Sequence, residues 1–330
     1  MSAKWMLTLT SLCEQSGVGV ATLSNSMLLY MLTYKASPSY GDYRRLMFSY
    51  TIVEMVYSFL SFTSGMKAHS TDTSFVVFNF YHGYVSRSIA PLFLIDFCGI
   101  YFTLILILVL HFIYRYFVVC DAGKLENFKG WYLMLWVVGS TISGFSMAYL
   151  KYWTFPEREH LTNELREDFL QYFALTMEEI VYNGPNYYVC KKFNDCKKPR
   201  ADWITMFILC GGLIFSVSTM CFCGYSCCKK LGEHKNRLSS RTANLQKQLM
   251  AALIIQSVIP IIFMYIPVFL LFMTPMFRVG FGPYDNIAMA TLAIYPPVDQ
   301  FIIIYVIEDF RTAVKDLFKC GKMQESAPSN

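Results

Sequence analysis

The feature that most constrains this chain is a series of long apolar runs. Each run has about the 20 mostly apolar residues that a helix needs to cross a bilayer. None shows the strict alternation of an outer-membrane β-strand. The sequence therefore predicts an all-α membrane protein, a single seven-transmembrane helix bundle over residues 1–330. The seven runs cover approximately residues 12–34, 45–66, 89–118, 131–150, 203–226, 247–273 and 285–307.

The composition supports a membrane protein. Hydrophobic residues make up 55% of the chain and charged residues only 15%, whereas soluble domains carry about 25% charged residues. Residues 1–24 also resemble a cleaved signal peptide. The apolar segment continues through SMLLYMLTY to spanning length, which favours a first helix.

The distribution of Lys and Arg predicts the orientation. Sixteen of these residues lie in the segments after the first, third and fifth runs and in the tail, against four at the N-terminus and after the second and sixth runs. Because basic loops stay in the cytoplasm, we expect an extracellular N-terminus. Residues 151–202 are then a long extracellular loop, and residues 308–330 are a cytoplasmic tail. The net charge of +5 is explained by this bias and requires no nucleic acid.

The cysteines suggest two modifications. Cys190 and Cys196 lie on the predicted oxidising side and could form a local disulfide, or they could stay free thiols. Cys227, Cys228 and Cys320 border the membrane and are candidates for lipidation, whereas ordinary packing is expected for Cys221 and Cys223.

No sequence motif indicates an enzyme. The cysteine-rich stretch CFCGYSCC has no neighbouring histidine or carboxylate pair that would suit zinc. No phosphate-binding loop, nucleophile elbow or HExxH motif occurs. We expect no catalytic residue, no metal and no cofactor.

Ionisable residues inside membrane helices are costly, so they mark function or pairing. Glu54, Asp96 and Asp299 lie inside predicted spans. Asp96 could contact a ligand, pair with Arg87 or bond to a neighbouring helix. Arg115, in HFIYRYFVVC, ends the third span. It is either an anchor that extends to the lipid headgroups or a latch that pairs within the bundle and is released on activation.

Prolines interrupt the last two spans. Pro260 and Pro267 lie in the sixth, and Pro296 and Pro297 lie in the seventh. Each proline removes a backbone hydrogen bond and favours a kink. Kinked helices suit a bundle that changes between two arrangements of its helices, and they also suit a static bundle of curved helices.

Four stretches closely resemble the Str class of nematode seven-transmembrane chemoreceptors, and the resemblance covers essentially the whole chain. Two positions depart from that class, since Gln300 follows Asp299 where proline is usual, and Glu308 stands where a basic residue is usual. The signatures of rhodopsin-like receptors are missing. Span three ends in YRY, without the usual acidic residue before the arginine, and span seven has YPPVD in place of NPxxY. The four stretches are GDYRRLM, HFIYRYFVVC, GEHKNRLSSRTANLQKQLMAALIIQSVIPIIFMYIP and AIYPPVDQFIIIYVIEDFR.

The resemblance implies a G-protein-coupled chemosensory receptor in the plasma membrane of sensory-neuron cilia. Its partners would be a small odorant, a heterotrimeric G protein and membrane lipids, with the oligomeric state left open. The activation switch would comprise Asn25, Tyr114, Arg115, Tyr116, Pro267, Tyr295 and Asp299. The residues facing the G protein would be Lys229, Lys230, Lys235, Arg237, Arg241 and Lys247. Depth in the membrane and nearness to the extracellular side suggest a ligand site. Its residues would be Asp96, Ile100, Tyr101, Trp203, Phe269 and Met289.

Two other functions compete with the receptor. A ligand-gated ion channel or channel subunit in chemosensation is the main alternative, because some chemosensory seven-span proteins conduct ions. The insect odorant receptors of this kind have an intracellular N-terminus, which the charge distribution opposes. A transporter would predict internal repeats or paired broken helices, and no repeat is visible.

Overall fold

The computed structural model describes residues 3–36, 40–80, 86–192, 195–233, 240–308 and 310–314, and within them the chain forms a helical bundle. Long helices cross the bundle back and forth, as the apolar runs predict. We call the end where the first helix begins the N-terminal face and the opposite end the C-terminal face. The helices are α1 (Lys4–Tyr34), α2 (Tyr43–Ser64), α3 (Ala90–Cys120), α4 (Trp131–Thr154), α5 (Glu159–Asp168), α6 (Arg200–Glu233), α7 (Ser240–Pro260), α8 (Ile266–Met273) and α9 (Asn286–Val306).

Six helical segments of the described chain are long and apolar enough to span a membrane. They comprise α2, α3, α4, α6, the segment Lys247–Phe277 that contains α8, and the segment Gly282–Val306 that contains α9. The first helix is equally long but more polar, and it packs lengthwise against α9 and α2. It completes a seven-helix bundle.

The third helix forms the centre of the bundle. In its most apolar window 78% of the residues are buried, against 22% for α4. Gly144 lets α4 approach α3 closely, because a Cβ atom there would lie 2.7 Å from the backbone nitrogen of Thr103. One apolar core extends through α2, α3, α6, α8 and α9.

A small antiparallel sheet covers the N-terminal face. Strands β1 (Lys67–Ser70), β2 (Phe75–Phe80) and β3 (Ile180–Asn183) pair in that order. Helix α5 packs on this sheet through an apolar cluster that includes Phe78, Leu161 and Leu165. The long segment 151–202 therefore contains a short helix, α5, over this end of the bundle.

A second, two-stranded hairpin lies beside the sheet. It consists of β4 (Val189–Lys192) and β5 (Asp195–Lys197), and a disulfide joins Cys190 to Cys196 across it. The pairing of these cysteines is therefore present in the structure.

Several helix ends differ from the predicted boundaries. The first helix begins at Lys4, ahead of the predicted residue 12, and α6 continues to Glu233, past residue 226. The fourth helix continues to Thr154, so Lys151 belongs to a helix and not to the loop that the sequence assigned it to. A π-helical turn, Ile261–Tyr265, separates α7 from α8.

Candidate functional site

A small apolar cavity lies beneath the sheet, near the N-terminal face. Its volume is about 40 Å³, which is little more than a water molecule occupies in the liquid. Two of its lining residues, Met66 and Met289, have flexible side chains that can repack to widen a site. The lining residues are Met66, Phe75, Val77, Phe97, Cys98, Tyr101, Phe102, Lys151, Val268, Leu271, Phe272, Met289 and Leu292.

The structure brings only some of the predicted ligand residues to this cavity. Tyr101 and Met289 line it. Ile100 is buried in α3 without lining it.

The other predicted ligand residues lie elsewhere. Trp203 packs against Tyr187 and Tyr188, and Phe269 lines a separate groove between α6 and α8. Asp96 is half-buried and does not line the cavity. The alternative that Asp96 pairs with Arg87 is not seen, since Arg87 bonds to Glu157 at 2.8 Å.

Sequence reasoning missed Lys151 as a cavity residue. Its ammonium donates a hydrogen bond to Asn183 Oδ1 at 2.8 Å, and the side chain is buried. The prediction ended the fourth span at residue 150 and left this lysine in a loop. Tyr152 and Trp153 continue the apolar pattern of the span, and this signal would have placed the end of the predicted helix after Lys151.

A buried polar network lies below the cavity, between α2 and α9. The hydroxyls of Tyr50 and Tyr295 are hydrogen-bonded, and Glu54 faces both Tyr295 and Asp299. Gln256 Nε2 donates to Asp299 Oδ2 at 3.3 Å. Hydrogen bonds between polar groups are stronger in such a buried, low-dielectric setting than in water, so the network is sensitive to any movement of α2 against α9.

One tyrosine connects the cavity to this network. The hydroxyl of Tyr57 donates to the backbone carbonyl of Leu292 at 3.1 Å, and Leu292 lines the cavity. The ring of Tyr57 contacts Phe97, another lining residue, at a centroid distance of 5.2 Å. It also meets the ring of Tyr295 at 6.3 Å.

The Arg115 side chain lies at the C-terminal face but inside the bundle. It is 2% exposed, and its guanidinium carbon lies 3.7 Å from the ring centroid of Tyr43, a cation–π contact. Tyr43 stacks on Tyr114 and lies 3.3 Å from Nδ1 of His111 through its hydroxyl. This burial argues against an anchor that extends to the headgroups.

The remaining switch candidates surround these two clusters. Tyr116 contacts Phe222 of α6 at a centroid distance of 5.9 Å. Asn25 is fully buried in α1 and donates to the Ala21 carbonyl at 2.8 Å. Pro267 lies at the start of α8, just after the π turn.

The two departures from the Str pattern occupy defined positions. Gln300 is fully buried, and its amide atoms have no hydrogen-bond partner among the residues that the structure describes. Glu308 accepts a hydrogen bond from Gln248 Nε2 at 3.1 Å. This bond joins the end of the last span to α7.

The predicted G-protein face is described in part. Lys229 and Lys247 are exposed, and Lys230 is half-buried. Lys235 and Arg237 lie outside the described residues, as does the side chain of Arg241.

The lipidation candidates differ in accessibility. Cys227 is fully buried, next to Cys120 of α3, whereas Cys228 is exposed. Cys320 lies outside the described residues. The geometry therefore favours Cys228 over Cys227. Across the ranges that the structure describes, no group of three or more His, Cys, Asp and Glu side chains could hold a metal ion.

Comparisons with known proteins identify the family. A family model described as "Serpentine type 7TM GPCR chemoreceptor Str" matches residues 10–315. The chain is 29% identical to serpentine receptor class r-10 of Caenorhabditis elegans over 332 residues, which covers 98% of this chain and 94% of that receptor. It is 26% identical to G-protein coupled receptor str-33 of the same nematode over 301 residues, covering 90% and 87% of the two chains.

A solved structure supports the fold. Squid rhodopsin matches with a TM-score of 0.59 at 14% identity, covering 96% of this chain and 85% of that one. At this identity the match concerns the fold alone, and it confirms the seven-helix, GPCR-like bundle. The family match over residues 10–315 shows that the chain belongs to the Str family of serpentine seven-transmembrane G-protein-coupled chemoreceptors.

Proposed function

We propose that this protein is a chemosensory receptor that binds a small volatile molecule in the apolar cavity and activates a heterotrimeric G protein. The observation that carries the proposal is the contact of Tyr57 with both the cavity wall and the buried network. A ligand that widens the cavity toward α2 displaces Leu292 or Phe97, and Tyr57 touches both. The site is thereby coupled to the network by direct packing.

The network in turn leads toward the C-terminal face. Tyr50 bonds to Tyr295 and packs edge-on against His111 at 5.2 Å. His111 contacts Tyr43, which lies under Arg115. A rearrangement at the cavity can therefore reach the Arg115 latch through contiguous side chains, the kind of physical network that carries coupling.

The proposal includes a membrane location and an orientation. The receptor lies in the plasma membrane of sensory-neuron cilia, with the N-terminal face outside and the C-terminal face toward the G protein. Exposed Lys229 and Lys247 on that face give it the positive charge that suits the cytoplasmic side.

The experiment is a panel of small volatile molecules on cells that express the receptor, read as G-protein activation and as membrane current. Tyr57→Phe keeps the ring and removes the bond to the Leu292 carbonyl. We expect wild type to respond through the G protein and Tyr57→Phe to need more ligand, because one hydrogen bond of about 1 kcal/mol is lost.

The control is Tyr284→Phe, since Tyr284 is exposed on the N-terminal face, and it should respond like wild type. A rapid current that persists with G proteins blocked would contradict the receptor and support the channel alternative. An unchanged dose response in Tyr57→Phe would remove Tyr57 from the coupling path.

A further inference from the structure

The cavity contains one cationic side chain, Lys151, in an otherwise apolar lining. The side chain is 6% exposed. Taking a charge out of water costs several kcal/mol unless a counter-charge accompanies it. The surroundings of this lysine are therefore informative about what the cavity binds.

Two other largely buried cations of the described chain have a carboxylate partner, and a third, Arg115, lies on the ring of Tyr43. Lys67 Nζ lies 2.8 Å from Glu14 Oε2, and Arg158 Nη1 lies 2.7 Å from Asp202 Oδ2. For Lys151 no carboxylate lies within 4.0 Å in the ranges that the structure describes. Its hydrogen-bond partner there is the neutral amide oxygen of Asn183.

The position of Asn183 is fixed by its other amide atom. Asn183 Nδ2 donates to the backbone carbonyl of Phe155, which places Oδ1 toward Lys151. An ammonium has three donors, and this amide accepts one of them. The lysine thus keeps hydrogen-bonding capacity and a positive charge immediately behind the apolar wall of the cavity, to which its side chain contributes apolar atoms.

We propose that Lys151 is the anchor for the head group of the ligand, and that the ligand class is a small apolar molecule with a carboxylate. The carboxylate supplies the missing counter-charge, and its second oxygen accepts another ammonium proton. The apolar chain lies against the aromatic and methionine side chains of the cavity. This inference rests on the proposed ligand site and adds the chemical class of the ligand.

A structural role for Lys151 makes a different prediction. The lysine lies in the last turn of α4, where a cation interacts favourably with the helix dipole. That role would make Lys151 matter for stability and would give the protein no preference between an acid and its ester. The preference is therefore the quantity to measure.

The experiment uses the full-length receptor, purified in detergent, with thermal unfolding as the readout. Butanoate, hexanoate and octanoate are each compared with the methyl ester and the alcohol of the same chain. We expect at least one acid to raise Tm at concentrations where its ester and alcohol do not. In Lys151→Met the acid should bind about tenfold or more weakly, as loss of a charged hydrogen bond predicts.

Two further variants keep the test decisive. Lys151→Arg retains the charge and should retain the preference for acid, whereas Lys197→Met removes an exposed cation on the same face and should behave like wild type. If Lys151→Met does not fold, the comparison of acid with ester in wild type and in Lys151→Arg still decides. Equal Tm shifts for acid and ester, no shift with any acid, or an acid effect that survives in Lys151→Met would overturn the proposal.

The same compounds in the G-protein assay separate this inference from the proposed function. Stabilisation by an acid without any G-protein signal would uphold the acid site and contradict the proposed receptor activity. Activation by neutral molecules alone, without stabilisation by the acids, would uphold the receptor and overturn the acid site.

Discussion

At the scale of single residues, the buried cations of this receptor are held by contacts of different strength. Lys67 donates to both oxygens of Glu14 at 2.8 and 2.9 Å. Breaking such a buried pair costs about 3–5 kcal/mol, so it is suited to a permanent joint between α1 and β1. The contact of Arg115 with the Tyr43 ring is weaker, about 0.5–2 kcal/mol. A contact of that size can be broken by the coupling energies of about 1–3 kcal/mol that ligands supply.

The first prediction concerns this cation–π contact. Tyr43→Leu removes the ring, whereas Tyr43→Phe keeps the ring and removes only the hydroxyl near His111. We expect Tyr43→Leu to raise ligand-free G-protein activation several-fold, because about 1 kcal/mol of latch energy is lost. Tyr43→Phe should remain near wild type. Ligand-free activation at matched surface expression is the measurement, and equal basal activity in the two variants would contradict a latch built on the ring.

Residue types were predictable from the sequence, but their neighbours were not. The cost of ionisable groups in lipid singles out Glu54, Asp96 and Asp299, and the structure buries Glu54 and Asp299 fully and Asp96 in part. The predicted ligand residues rest on their depth in the membrane and on the side of the membrane to which they are closer. Position along a helix does not tell which side of the helix faces the cavity, and α3 is apolar over most of its surface, so Asp96 and Ile100 do not line the cavity that the structure contains.

At the scale of elements, the sixth span is divided by a π-helical turn between its two prolines. Pro267 has no N–H group, so the carbonyl four residues earlier has no α-helical partner. The turn makes contacts on two sides, because Tyr101 Oη donates to the Met264 carbonyl at 3.4 Å and Ser216 Oγ lies 3.0 Å from Tyr265 Oη. Turns of this kind are frequent at functional sites, and this one joins α3 and α6 beside the cavity.

The second prediction is that Pro267→Ala stabilises one packing of this span. Alanine restores the missing donor and allows α-helical bonding through the turn, which removes a penalty of about 3 kcal/mol. We expect a higher Tm in detergent and a lower maximal response to ligand. Leu270→Ala is the matched control, since Leu270 lies on the same helix and faces outward. A response and a Tm both equal to wild type would show that the π turn does not move during signalling.

The helices were predictable as elements because their length is set by the bilayer. The sheet over the N-terminal face was missed. The segment from Lys67 to Phe80 carries a hairpin signal, with the turn-forming TDTS before the apolar FVVF. Its strands lack a clean alternation because nearly all their residues are buried, on one side against α5 and on the other above the cavity. A short strand that is buried on both faces shows no alternation of apolar and polar residues, so such a segment is easily mistaken for a loop that connects two spans.

At the scale of the whole molecule, the candidate sites lie in sequence along the bundle axis. The cavity is near the N-terminal face, the network of Tyr50, Glu54 and Tyr295 is in the middle, and Arg115 is near the C-terminal face. This arrangement gives a direction for signalling only if the N-terminal face is outside the cell. The orientation is therefore the property on which the receptor mechanism depends most.

The last prediction is that an epitope tag before Lys4 is stained on intact cells. A tag after Asn330 should be stained only once the membrane is permeabilised, because the tail and the segments after the first, third and fifth spans hold most of the Lys and Arg residues outside the long segment 151–202. Basic segments of this kind stay in the cytoplasm. The doubly tagged protein provides its own control, since one tag must be hidden in any inserted molecule with an odd number of spans. Staining of the C-terminal tag alone on intact cells would place Arg115 outside the cell. That outcome would separate the latch from any cytoplasmic partner and move the proposed activity to a channel.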